Sequence, residues 1–160
     1  MKFRALLAAG AMVTSLSACL EGSTGPECDD INPQVTGTKG DTTTLASGLR
    51  YVQTQAQVGS GATARSCRGV AVHYTGMLTS GTNFGTSRGG APVQFTPGLG
   101  ELIPGFEEGV VGMRVGGQRR LIVPPSLAYG SQARTDQAGN VVIPANSTLI
   151  FDIELVAVQQ

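Results

Sequence analysis

Leu149-Ile150-Phe151-Asp152-Ile153-Glu154-Leu155 carries a large apolar side chain at every odd position, with Asp152 and Glu154 between them. A period of two marks a strand with one face buried and the other wet. Val70-Ala71-Val72-His73-Tyr74-Thr75 repeats the pattern, with Val70, Val72 and Tyr74 sharing a face. Half-buried strands of this kind belong to an antiparallel sheet. Leu49 to Gln55, Val93 to Thr96 and Arg119 to Val123 are shorter strand candidates separated by Gly- and Pro-rich turns. One segment breaks the period: Phe106, Val110 and Met113 fall at i, i+4 and i+7, with Pro104 suited to a first helical turn and Gly116 to the stop. The pattern predicts an α+β fold, an antiparallel sheet of five or six strands wrapped around one short helix on its concave face.

Composition narrows the function classes. The chain has 160 residues, 41% of them hydrophobic, with 11 basic and 11 acidic side chains and a formal net charge of +0. A nucleic-acid partner normally shows as a basic patch or a high pI, so none is expected. No apolar run reaches the ~18 residues of a membrane span. The 23 glycines and 8 prolines indicate many turns but stay short of a low-complexity composition. One globular domain is expected, and a monomer.

The N-terminus reads as an address. Lys2 and Arg4 precede an apolar stretch from Ala5 to Val13, and Leu16-Ser17-Ala18-Cys19 follows as a small-residue cleavage site. That block resembles a bacterial lipobox, in which the cysteine is lipidated and becomes the first residue of the mature protein. The resemblance implies a signal peptide over residues 1–18, a lipid anchor at Cys19, and a location in the bacterial cell envelope on the periplasmic or outer-membrane side. Several acyl chains hold a protein stably at a membrane that it does not span. An exported chain meets an oxidising compartment, so the two remaining cysteines, Cys28 and Cys67, are expected to form a disulfide. Residues 19–46 are poor in large apolar side chains and rich in Gly, Ser, Thr, Pro and Asp, which reads as a flexible tether. The folded domain is expected over residues 47–160.

Several residue blocks within that domain occur together in one known family. His73-Tyr74-Thr75-Gly76, Phe84 ten residues after Tyr74, Ile103-Pro104-Gly105-Phe106-Glu107-Glu108-Gly109, Leu127-Ala128-Tyr129-Gly130, Ile143-Pro144 and the strand Leu149 to Leu155 appear in order and spacing. Together they resemble an FKBP-type peptidyl-prolyl cis/trans isomerase domain over roughly Ser47 to Val158. The resemblance implies that Tyr74, Phe84, Ile103, Phe106, Tyr129 and Phe151 form the catalytic pocket for a proline ring. Phe106 is its floor, and the Ile103 N–H and Tyr129 hydroxyl hold peptide carbonyls. Val93, Glu101, Leu102, Val142 and Ile143 are implied as further substrate contacts, and Phe95 as ordinary core. No cofactor or metal is implied. The implied partners are proline-containing unfolded or exported proteins, a macrolide ligand, and the membrane through the lipid.

Departures from the family pattern are informative. Gly85 stands where many members carry an Asp paired with a nearby Arg, Val93 where many have an aromatic, and Phe106 where the best-known members have Trp. The ion pair is missing as a unit at Gly85, and the smaller side chains at Val93 and Phe106 imply a looser pocket. Ser131 to Asn140 is several residues longer than the family loop, and loops over a pocket commonly set substrate choice. Other chemistry fades. His73 lacks a Ser or Cys partner at a recognisable spacing, Thr86-Ser87-Arg88-Gly89-Gly90 lacks a P-loop lysine, and the adjacent Glu107 and Glu108 read as a solvated helix face. Two function classes remain open: a lipid-anchored isomerase assisting exported proteins, and a non-catalytic chaperone or interaction module that keeps the pocket.

Overall fold

The computed structural model describes residues 40–53 and 60–159. The segment expected to be a signal peptide and most of the expected tether, with the expected lipid anchor Cys19 and the expected disulfide partner Cys28, lie outside the described residues. In chain order the elements are β1 (Thr42–Thr44), β2 (Arg50–Gln53), β3 (Val70–Leu78), β4 (Asn83–Thr86), β5 (Val93–Phe95), α1 (Pro104–Val110) and β6 (Gln118–Val123). A 3-10 turn (Pro125–Leu127), β7 (Arg134–Thr135), β8 (Val141–Ile143) and β9 (Leu149–Val158) follow.

Period-two alternation builds the sheet as expected. Leu149, Phe151, Ile153 and Leu155 of β9 are buried, and so are Val70 and Val72 of β3 and Leu121 and Val123 of β6. The strands run β1-β2-β6-β9-β3-β4, with β5 also pairing β3. The sheet is therefore seven strands in six positions, because β4 and β5 pair different stretches of one β3 edge, Thr75 to Met77 and Val70 to Val72. All pairings are antiparallel. A separate hairpin joins β7 to β8.

The structure corrects two boundaries. Ordered backbone begins before Ser47, because Thr42 to Thr44 pair antiparallel with Val52 to Arg50 and Leu45 packs against the core. Thr42 and Thr44 are exposed, so this edge strand carries no apolar pattern to announce it. The helix also ends at Val110 rather than near Gly116: Val111 is already extended, at φ −58 and ψ 137, and Gly112 follows at φ 80. A left-handed glycine is a common way to end a helix. Met113 remains buried, reaching the core from the turn instead of from the helix.

Among the described residues two charged side chains are buried, Glu107 and, more deeply, Arg119. Arg119 is 1% exposed, because the alternation that buries Leu121 and Val123 places residue 119 on the same face of β6. Its guanidinium lies 4.3 Å from the centre of the Tyr51 ring. Its Nη1 donates to the carbonyls of Gly109 at 2.7 Å and Val111 at 3.2 Å. A cation at the carbonyl end of α1 satisfies orphan acceptors and opposes the helix dipole. Burial lowers its pKa to about 10, which leaves it protonated at neutral pH. Thus the seam between α1 and β6 is polar at one end, and Phe106 is left to face the opposite, aromatic end.

Candidate proline-binding cavity

The concave face of the sheet, α1 and the loops around them enclose a cavity of about 400 Å³. Its lining is Tyr74, Phe84, Gly85, Val93, Leu102, Ile103, Phe106, Tyr129, Arg134, Ile143 and Phe151. Phe106 is the floor, 4% exposed. Its ring meets Phe151 at 5.1 Å, Phe95 at 5.7 Å and Tyr74 at 5.9 Å, all edge to face. Phe84 closes the wall against Phe151 at 5.6 Å. Edge-to-face packing directs ring hydrogens at neighbouring π faces and fixes each ring's tilt.

The six residues expected to act catalytically come together here, with Val93, Leu102 and Ile143. Glu101 and Val142 do not line the cavity. The Glu101 carboxylate is turned to the N–H of Thr96, at 3.3 Å, and Val142 is exposed on β8, where alternation gives the inward position to Ile143. Phe95 packs beneath Phe106 in the core. His73 bonds Ser87 Oγ at 3.3 Å through Nδ1, a strand residue tying β3 to the segment after β4. Arg134 was not among the expected site residues, although it sits in the long loop.

Polar groups in the cavity are few and unspent. The N–H of Ile103 and the hydroxyls of Tyr74 and Tyr129 have no hydrogen-bond partner among the described residues. Ile103 is extended and caps α1 with its carbonyl, which accepts from the N–H groups of Phe106 and Glu107. Its own N–H is thereby left free. Tyr129 is set by the turn before it, where Ala128 and Gly130 both donate to the Pro125 carbonyl at 3.1 and 2.9 Å. Among the described residues no three His, Cys, Asp or Glu side chains come together.

Glu107 is the main correction. It is 6% exposed rather than solvated. Its Oε2 accepts from the N–H groups of Gly98 at 2.8 Å and Gly100 at 3.2 Å, and its Oε1 from Leu102 at 2.8 Å. One carboxylate therefore holds the loop that delivers Leu102 and Ile103 to the cavity. Glu108, the neighbour, is partly buried and accepts from Ser47 Oγ at 2.9 Å.

Gly76 makes the aromatic wall possible. It pairs with Phe151 across the sheet, and a Cβ there would come within 2.5 Å of Phe84 Cε2 and 3.2 Å of Phe151 Cε1. Alanine at this position must push Phe84 off the wall. We expect Gly76→Ala to cost about 1–3 kcal/mol by overpacking and to weaken proline-peptide binding severalfold. Denaturant unfolding and calorimetric titration measure the two effects, and unchanged affinity would remove Phe84 from the binding wall.

Cys67 is disulfide-bonded. It has a positive φ of 58 and donates its N–H to the Pro97 carbonyl at 2.8 Å, beside the loop that Glu107 holds.

Comparison with known proteins follows the same lines. Residues 60–156 match the family model described as FKBP-type peptidyl-prolyl cis-trans isomerase. FK506-binding protein 3 of Candida albicans is 46% identical over 118 residues, covering 74% of this chain and 26% of that protein. The chain thus spans about a quarter of the length of such curated relatives. Among solved structures, AtFKBP13 superposes with a TM-score of 0.65 at 35% identity, over 73% of this chain and 98% of its own. FkpA from Escherichia coli gives a TM-score of 0.61 at 40% identity, over 76% of this chain and 53% of its own.

Proposed function

The chain belongs to the FKBP-type peptidyl-prolyl cis-trans isomerase family, and from that premise we propose that it catalyses rotation about Xaa–Pro bonds in the cavity over Phe106. The observation that carries this reading is a cavity lined by five aromatics, with the unpaired Ile103 N–H and Tyr129 hydroxyl at its rim. An Xaa–Pro amide turns over a barrier of ~18–20 kcal/mol, because resonance gives its C–N bond partial double character. Rotation breaks that resonance but no σ bond. No nucleophile or proton transfer is needed, and the cavity presents neither. The twisted amide separates less charge than the planar one, so an apolar enclosure favours it relative to water. Donors that hold the flanking carbonyls fix the peptide on either side of the bond while the proline ring rests on Phe106.

We further propose that the substrates are exported, proline-containing chains, with this protein held at the bacterial envelope by lipid on Cys19. Lys2 and Arg4, the apolar stretch behind them and Leu16-Ser17-Ala18-Cys19 support that location. Several relatives are named for binding FK506, which supports a macrolide as a competing occupant of the same cavity. Gly85 supports the second reading, a binding module without turnover: with no side chain there, nothing holds the Tyr74 hydroxyl.

The test follows cis/trans relaxation of short Xaa–Pro peptides with the full chain and with Tyr129→Phe. Uncatalysed relaxation takes tens to hundreds of seconds. The parent should shorten it, and the variant, which keeps the ring and loses the hydroxyl, should lose about a factor of ten. Peptide binding with no acceleration, across several residues before proline, would assign the chain to the binding class.

A further inference from the structure

Among the eleven residues that line the cavity, one is charged. Arg134 is exposed at the rim, and its guanidinium lies 4.4 Å from the centre of the Tyr129 ring. Neither of the described salt bridges involves it; those join Arg88 to Glu154 and Arg120 to Asp152 on the outer face of the sheet. Resting on the reading that this cavity takes proline, we propose that Arg134 is a specificity-determining residue that selects an acidic side chain beside the proline.

Three features place this cation and leave it available. First, the β7–β8 hairpin pairs Arg134 with Ile143, and Ile143 is buried in the cavity wall. The pairing pins the Arg134 backbone one strand out from the wall, so its side chain arrives at the rim. Second, the face of the guanidinium rests on Tyr129, an arrangement that spends the flat face and leaves the N–H edge to donate. Tyr129 is the residue proposed to hold a carbonyl of the bound peptide, so that edge stands next to the backbone of the substrate.

Third, the nearby carboxylates are engaged elsewhere. Asp136 accepts through Oδ1 from the N–H groups of Ala138 and Asn140, both at 2.9 Å, and through Oδ2 from the Asn140 amide at 3.0 Å. It shapes the hairpin turn. Glu101 is turned to Thr96, and Glu107 holds its loop. Across the cavity the position that could have carried a neutralising carboxylate is Gly85, and the Tyr74 hydroxyl beside it has no hydrogen-bond partner among the described residues. An apolar cavity with one cation at its mouth that is in neither described salt bridge attracts an anionic side chain, repels a cationic one, and does both less as salt rises.

The full chain, Arg134→Gln and Gly85→Asp are compared on peptides with Glu, Gln or Lys directly before, and in a second series directly after, the proline. Affinity by fluorescence anisotropy and isomerisation rate are both read, at low and at high salt. Exposed ion pairs contribute modestly, so the expected parent preference for Glu over Lys is about threefold to fivefold at low salt in at least one series. Gln should fall between, and high salt should shrink the range. In Arg134→Gln the ratio should fall to about one. Gly85→Asp puts a carboxylate into the cavity, where an ideal Cβ meets Tyr74 Oη at an unstrained 3.5 Å, and should lower the ratio as well. A parent without charge preference in both series, or a ratio that survives Arg134→Gln, overturns the proposal. Charge-selective binding without acceleration would instead overturn the isomerase reading and leave the role of Arg134 standing.

Discussion

Phe106→Ala should abolish measurable isomerisation and lower the unfolding free energy by about 3–5 kcal/mol, the usual cost of emptying a buried phenylalanine site. Both effects have one origin. The ring is the shared neighbour of Tyr74, Phe95 and Phe151, so its removal deepens the cavity floor and also frees three rings that it holds edge to face. A proline ring would then lie over a void, and the wall that excludes water from the twisting amide would no longer close. Domains of this size are stable by about 5–15 kcal/mol, so the variant retains a folded population at moderate temperature. Phe106→Leu separates the two losses. Leucine fills much of the volume, should cost less than half as much stability, and cannot present a flat face to proline. If Phe106→Leu turned peptides over at the parental rate, the floor would need only bulk there, and the aromatic character of the site would not be its working principle.

Much of this architecture was legible in the sequence, and the rest was hidden for physical reasons that differ from residue to residue. The alternation in Val70 to Tyr74 and Leu149 to Leu155 encodes the two central strands directly, because each has one dry face and one wet one. Nothing comparable marks Thr42 to Thr44: an edge strand made of threonines is held by its ladder to β2, a tertiary fact. The helix end is masked in the sequence because Met113 continues the apolar spacing of Phe106 and Val110, yet a turn can bury a methionine as well as a helix can. Arg119 carried a usable signal. Counting back by twos from Val123 and Leu121 puts it inward, and a buried cation then requires acceptors, which the end of α1 supplies. Arg134 lay in the stretch whose length already stood out, but a loop sequence does not say which of its residues returns to the cavity. Pairing with Ile143 decides that, and pairing across a bulged two-residue strand leaves no periodic trace.

Glu107→Ala should act on the site from behind. The carboxylate accepts three backbone N–H groups from Gly98, Gly100 and Leu102, bonds that are strong because the acceptor is charged. Gly98 and Gly100 are exposed and Leu102 only partly so, so in the variant the two glycine amides recover water while the Leu102 amide pays most of the penalty. A stability loss of about 2–4 kcal/mol follows, smaller than three fully buried orphans would give. The larger consequence is positional. Leu102 and Ile103 enter the cavity at the end of this loop, and the free Ile103 N–H is useful only while its direction is fixed. Substrate affinity should fall about tenfold, with hydrogen exchange quickening at Gly98, Gly100 and Leu102 but not along β9. Glu107→Gln keeps one acceptor oxygen but turns an amide NH2 toward donors, so it should lie between Ala and the parent. A merely structural glutamate would predict something else: lower stability with unchanged affinity in whatever fraction remains folded.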